Sequence, residues 1–435
     1  MKRPTRVGIV AVACFATIGT VNRPRAAQAV ARAARGAATS AATSAAVAPT
    51  LRRDSLLVSV LTMGPGPEIY DKFGHISLRF RDVTSGADVA FNWGMFDFDQ
   101  PHFLVNFITG ETRYWMEGLK TGPLIDYYRR AGRRVSEQVL DLDPAQADSL
   151  LHFIQWNALE ANKWYRYDYY RDNCATRVRD ALDGVLRGAI RRGVATHEHG
   201  VTYRSETTRL AAPHAFLNVA MTFALGRKAD ATLSAWEEMY IPMRLAELLQ
   251  DVRVPRTGRT PIPLVRSETT LVAADRFRER SDPPNLLLPL LSVGLGLAAM
   301  FLALGAAAGR SRLARLTVVL AAGLWHLVIG AAGVLVLYLG LFTQHAYMAQ
   351  NASVLLGTPA SLALALLIPF SLRAHSRRVS SAVRVLSIFC AVCGAVALLA
   401  VLTPPLAQRS VAVFALILPS HVALNAIFAS WRSRG

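Results

Sequence analysis

Two residues of this 435-residue chain, Cys174 and His75, have the types and settings needed for nucleophilic chemistry. Cys174 stands in Asp172-Asn173-Cys174-Ala175-Thr176-Arg177, just ahead of a stretch that puts Val178, Ala181, Leu182 and Val185 on one helical face. A thiol in the first turn of a helix meets backbone N–H groups and the positive end of the helix dipole. Its pKa is therefore expected to fall and its thiolate fraction to rise. Asn173 suits the capping position before it. The competing reading is a buried cysteine acting as a small hydrophobe, and the polar flanks Asp172, Asn173, Thr176 and Arg177 weigh against an apolar pocket. A nucleophilic cysteine also needs a base, and a group to orient that base. His75 is the best base: it opens a strand directly after Gly74, on a rigid edge. Asn92, on the strand that returns beside it, is the first candidate for the orienting group, and Asp97 is the second.

The elements that must carry these residues are legible nearby. Ser55 to Thr62 reads as a buried strand, broken by Met63-Gly64-Pro65-Gly66-Pro67. From His75 to Arg81, Ile76, Leu78 and Phe80 alternate with polar residues, as in a half-buried strand. Asp82 to Asp88 makes a turn, and Val89 to Trp93 is the return strand of a hairpin. Asp143-Pro144 begins a helix that runs to about Leu159, and a second helix starts right after Cys174. Helical patterns continue over 207–226 and 230–250, before a linker rich in Pro, Arg and Thr to about 285. The aromatic run Trp164, Tyr165, Tyr167, Tyr169 and Tyr170 fits core packing better than an acyl pocket. His197-Glu198-His199 lacks a third ligand at useful spacing and reads as a surface loop, so no metal is called for. Nothing in the pattern calls for a cofactor.

The rest of the chain is of another kind. Residues 1–29 read as an export signal: Lys2, Arg3 and Arg6 lead the apolar Val7 to Val21, and Ala27-Gln28-Ala29 offers a cleavage site. Whether cleaved or kept as an anchor, this signal places the cysteine domain outside the cytoplasm. Residues 30–55 form a low-complexity linker too poor in large apolar side chains to build a core. Beyond a domain at 56–285, five apolar segments fill 286–430, at 286–308, 313–341, 352–371, 382–402 and 411–430. Each is near the ~20 residues that a bilayer requires. Arg310, Arg312 and Arg315, then Arg373, Arg377, Arg378 and Arg384, then Arg432 and Arg434 all fall on one side, while the loop 342–351 on the other is uncharged. That is the positive-inside pattern with the cysteine domain outside, and it accounts for much of the formal charge of +18. With no zinc-finger spacing, RNA-binding aromatic motif or basic helix, a nucleic-acid partner is not expected. Cys14 lies in the leader and Cys390 and Cys393 in a span, so Cys174 has no partner for a disulfide framework.

Phe73-Gly74-His75 on a strand, with Asn173-Cys174 opening a helix about a hundred residues later, resembles the circularly permuted NlpC/P60 papain-like fold of the lecithin:retinol acyltransferase group. Lys72 to His75, Phe91 to Phe98, Asp172 to Arg177 and Glu238 to Pro242 are similar to the periplasmic domain of Lnb-type lipoprotein N-acyltransferases. Phe342 to His345, with Asn351, Leu355 and Leu356, looks like that family's extracytoplasmic membrane loop, without the proline expected after the histidine. The resemblance implies an α+β papain-like extracytoplasmic domain before an all-α transmembrane bundle of about five helices. It implies a multi-pass protein of the bacterial inner membrane with its catalytic domain in the periplasm. Cys174, His75 and Asn92 would then be catalytic, with Asn173, Asp97, Arg177, His345 and Asn351 in support. The activity implied is transfer of a fatty acyl chain from membrane phospholipid to a lipoprotein's N-terminal amine through a Cys174 thioester. The same site would also suit a lipid or peptidoglycan hydrolase, and an inert Cys174 would leave a membrane-tethered binding module.

Overall fold

Leu56–Met63 (β1), His75–Asp82 (β2) and Asp88–Met95 (β3) form the antiparallel centre of a sheet. The structure is a computed structural model describing residues 56–430, apart from 198, 257–258, 275 and 371–376. The expected signal and linker over 1–55 lie outside the described residues, as do Arg373, Arg432 and Arg434. The hairpin closes where the sequence asks for it. Asp82 accepts from the N–H groups of Thr84 and Ser85 at 2.8 and 3.1 Å, and Gly86 supplies the left-handed backbone at φ +74°. Buried Arg79 ties the turn to the sheet through Asp88 at 2.5 Å and Glu137 at 2.9 Å.

Arg113–Lys120 (β4), Val135–Leu140 (β5), Trp164–Arg166 (β6), Arg253–Arg256 (β7), Arg259–Pro263 (β8) and Val265–Val272 (β9) complete the strands. The main sheet runs in the order β6-β4-β3-β2-β1-β5-β9, and β7 pairs with β8 in a separate ribbon. The stretch expected to be a linker up to about 285 therefore holds three strands, and β9 closes the main sheet by pairing with β5. It escapes pattern reading because it is an edge strand whose Arg266 to Thr270 are all exposed, so no apolar alternation marks it.

Helices lie on both sides of the sheet: Phe103–Thr109 (α1), Thr121–Arg130 (α2), Pro144–Ala158 (α3) and Cys174–Val185 (α4). Asp143 caps α3 in a capping box, its carboxylate accepting from Gln146 N while Gln146 reaches back to Asp143 N. Ile76, Leu78 and Phe80 share one core with Ile154 of α3 and Val178 and Leu182 of α4; Leu61, Met63 and Ala90 share another with Leu124 and Tyr128 of α2. Each fully buried side chain of this size contributes about 1.5–3 kcal/mol. That fixes β2 and α4, hence His75 and Cys174, on one rigid frame. The helical patterns expected over 207–226 and 230–250 are each interrupted near a proline. The helices are Tyr203–Ala211 and Ala215–Ala224, then Ala235–Glu238 and Pro242–Leu249, with Pro213 between the first two and Pro242 opening the last.

The described chain divides into two compact units, 56–203 with 232–281 and 204–231 with 282–430. The second holds five helices long and apolar enough to cross a membrane: Leu287–Ala307, Arg312–Phe342, Ala352–Phe370, Arg378–Leu402 and Val411–Ser430. An α+β sheet unit ahead of five apolar helices is the architecture expected. The third span is not one helix. A 3₁₀ turn, Ala352–Leu356, gives way at Gly357 to Pro359–Phe370. A Cβ on Gly357 would collide with the Ile329 carbonyl, so only glycine allows this crossing. Inside this unit buried Arg204 pairs with Asp230 at 2.8 Å and donates to the Thr222 and Leu225 carbonyls.

Candidate active site

Cys174 heads α4 because Asn173 caps it completely. The Asn173 Oδ1 accepts from Ala175 N at 2.9 Å and Thr176 N at 3.0 Å, and Thr176 Oγ1 accepts from Asn173 N at 2.8 Å. Asn173 Nδ2 donates to the carbonyls of Tyr169 and Tyr240, both at 2.9 Å. This gives Glu238 to Pro242 a physical role: the segment holds the cap from behind. Arg177 forks onto Asp172, with Nε to Oδ1 at 2.5 Å and Nη2 to Oδ2 at 2.7 Å, and lies 4.1 Å over the Tyr165 ring. Asn173 and Arg177 thus set the geometry around the sulfur.

On the sheet, His75 Nε2 lies 3.1 Å from Asn92 Oδ1. Fully buried Asn92 donates its Nδ2 to the Ala90 carbonyl at 2.8 Å, which turns Oδ1 toward the ring. The oxygen can only accept, so Nε2 carries the hydrogen and the lone pair sits on Nδ1. Asn92 is therefore the group that orients His75. Asp97 lies in the loop after β3, where its Oδ1 accepts from Asp99 N at 3.0 Å.

The first turn of α4 packs against β2, whose start lies at the open end of the β2–β3 ladder. The ladder pairs Leu78 with Phe91 and reaches no nearer the start of β2. The backbone N–H of Ile76, the residue after His75, is near enough to the Cys174 sulfur to favour its ionised form. Gly94 takes φ +86°, a backbone that favours glycine; a Cβ there would rest in ordinary contact with Cys174 Cβ at 3.6 Å and Tyr167 Cε2 at 3.7 Å. Among the described residues the imidazole bonds to Asn92 and not to the sulfur.

Burial pushes the Cys174 thiol up to about 11, against the pull of the Ile76, Ala175 and Cys174 N–H groups and of the Arg133 cation. The depressed thiol pKa expected at a helix start is not found, because Cys174 is only 7% exposed and desolvation outweighs the dipole. Burial also holds the His75 imidazole down to about 4; the Asn92 bond opposes this and the Arg133 charge adds to it. At neutral pH Cys174 is therefore a thiol and His75 a neutral imidazole. Thiolate is the attacking form, so iodoacetamide labelling of Cys174 should rise about tenfold per pH unit from pH 7 to 10. A plateau between pH 5 and 8 would instead mean a preformed thiolate–imidazolium pair.

Arg133 had no distinguishing signal among Arg129, Arg130, Arg133 and Arg134, yet it is the buried cation of the site. It pairs with Asp71 at 2.5 Å and donates to the Gly64 carbonyl at 3.0 Å. Gly74 holds His75 in register at φ +74°, where a Cβ would meet Met243 Sδ at 2.6 Å and the Met63 carbonyl at 2.7 Å. Gly74→Ala should cost about 1–2 kcal/mol through the left-handed backbone alone, and more through the clash. Urea unfolding of the solubilised protein would register this as a lowered midpoint, and an unchanged midpoint would refute it.

The remaining candidates lie elsewhere. His345 comes after the second span, and Asn351 caps the 3₁₀ turn of the third, its Nδ2 donating to the Phe223 and Ala224 carbonyls at 2.8 and 2.9 Å. Both belong to the helical unit. Tyr165 and Tyr167 border Gly94 and Cys174, while Tyr170 packs against Tyr203 and Tyr240. His199 bonds Glu238 at 2.7 Å and His197 lies 3.4 Å from Asp251; Glu198 is outside the described residues.

Residues 44–210 match the family model of the Lnb N-terminal periplasmic domain. No curated protein and no solved structure gave a match. The matched segment contains His75, Asn92 and Cys174, and five apolar helices come after it. The N-terminal part of this membrane protein is thus similar to the Lnb N-terminal periplasmic domain.

Proposed function

We propose that the protein is a thiol acyltransferase of the bacterial inner membrane, moving a fatty acyl chain from phospholipid to the N-terminal amine of a lipoprotein. The observation that supports this most is the Asn92-held His75 at the start of β2, one residue before Ile76, whose backbone N–H favours ionisation of the buried Cys174 thiol. In this reading Nδ1 of His75 takes the thiol proton as sulfur attacks the ester carbonyl. The oxyanion meets the N–H groups of Ile76 and Cys174, because Asn173 already occupies those of Ala175 and Thr176. Collapse breaks the ester bond, and the imidazolium returns its proton to the departing lysophospholipid oxygen. The lipoprotein amine then attacks the thioester and gives up a proton to His75, which re-protonates the sulfur as it leaves. Both half-reactions use the same base, and the proton balance closes without another reactant.

The high thiol pKa suits this scheme. A resting thiolate would invite oxidation outside the cytoplasm, whereas a neutral thiol becomes nucleophilic only when His75 takes its proton beside an ester. Purified protein incubated with phospholipid vesicles and no acceptor should carry a fatty acyl group on the Cys174 peptide, removable by hydroxylamine and read by mass spectrometry. A muropeptide adduct would indicate a cell-wall hydrolase. Free fatty acid in place of N-acylated product, once acceptor is added, would indicate a lipase.

A further inference from the structure

The connection between β3 and β4 carries α1, and its outward side is apolar. Leu104, Val105 and Phe107 are 51%, 58% and 53% exposed. From Gln100 to Gly110 there is no Asp, Glu, Lys or Arg. Three large apolar side chains at this exposure on one short helix are unfavourable in water and mark a contact with something apolar. The chain has five helices suited to a bilayer, and the sheet unit runs into the first of them within residues 282–286, so an apolar phase is tethered to this unit. Charge supports a lipid occupant. Three residues past Gly110, exposed Arg113 stands directly opposite exposed Arg166 on the β4–β6 ladder. This positive charge suits the phosphates that a lipid surface presents beside its hydrocarbon.

Behind α1 an aromatic row leads inward. Phe103 lies 6.2 Å from Phe96, Phe96 5.2 Å from Tyr114, and Tyr114 is stacked at 4.1 Å on Tyr167. Tyr167 and Cys174 both border the space that Gly94 leaves by having no side chain. We infer that α1 dips into the outer leaflet as an interfacial helix, and that the row behind it carries a lipid acyl chain from the leaflet to Cys174. The first half stands on exposure and charge alone; the second rests on the acyl-transfer reading above.

The test uses the full-length protein in membranes. A photo-crosslinking benzoylphenylalanine at Val105 should give lipid adducts, while the same group at Val83, 62% exposed in the β2–β3 turn, should give none. Protein adducts in place of lipid at Val105, from a second copy or another partner, or no excess over Val83, would overturn the leaflet contact. The double variant Leu104→Asp/Phe107→Asp should load acyl groups onto Cys174 from vesicles at least about tenfold more slowly, because carboxylates resist entry into hydrocarbon. Its iodoacetamide labelling of Cys174 should be unchanged, which shows an intact site. Loading at the wild-type rate would overturn the acyl route. Lipid adducts at Val105 in a protein whose Cys174 never loads would uphold the contact and defeat the acyl-transfer reading instead.

Discussion

Cys174→Ser is expected to lower lipoprotein N-acylation by at least about 10³-fold, since oxygen in place of sulfur removes the nucleophile and leaves only binding and oxyanion contacts. The substitution is nearly isosteric, and the Asn173 cap does not depend on the side chain next to it. The loss should therefore appear in turnover and not in folding. The reason lies in the base. An imidazole held down to about 4 is a weak proton acceptor. It can share the proton of a thiol at about 11 as an ester is attacked, but it cannot draw one from an alcohol several units higher. His75→Ala should fall by about 10²–10⁴, the range for loss of a general base. Membranes supplied with a diacylated lipoprotein and phospholipid provide the assay. Wild-type acylation by the serine chain would end the thioester mechanism.

Arg133→Met should be the most damaging change that leaves both Cys174 and His75 in place. The guanidinium is 2% exposed and is paired with Asp71, whose side chain is 15% exposed. Burial raises the Asp71 pKa even with Arg133 beside it. Removing one partner of such a pair typically costs about 3–5 kcal/mol, because the other charge stays buried alone. For a unit of this size that is a fall of roughly 6–20 °C in apparent Tm. Arg133→Met/Asp71→Asn should recover part of the loss, since neither charge then remains. A second readout separates electrostatics from packing. The Arg133 cation lowers both the thiol and the imidazole pKa, so without it the thiol is harder to ionise and the imidazole easier to protonate. The alkylation profile of Cys174 should move to higher pH, with Arg133→Lys in between. A variant with unchanged Tm and unchanged profile would show that Arg133 does neither job.

The parts of this arrangement that could be read from the sequence are those where local rules decide. The alternation of Ile76, Leu78 and Phe80, the capping order Asp143-Pro144 and the five apolar runs each carry their own signal, and the elements appear at those places. Asn92 was legible as the partner of His75 because hairpin register alone brings the two strands side by side. What the sequence hid depends on burial. Nothing local distinguishes Arg133 from Arg130, and the sign of the Cys174 shift turns on desolvation by residues distant in the chain. The β9 strand carries its polar side chains outward and takes its place only by pairing with a strand some 130 residues earlier. The break at Gly357 reflects a close backbone approach to Ile329, which composition cannot encode.

The sheet is finished late. Val135 of β5 pairs with Val272, and the cap of α4 is held by the carbonyl of Tyr240, so the scaffold around Cys174 is not complete until more than half of the protein has been made. A polypeptide cut near residue 210, where the family match stops, would keep His75, Asn92 and Cys174 but expose the β5 edge and release Asn173 from behind. Such a fragment would tend to self-associate through that edge, and periplasmic folding helpers would have to shield it during export until the last strand arrives.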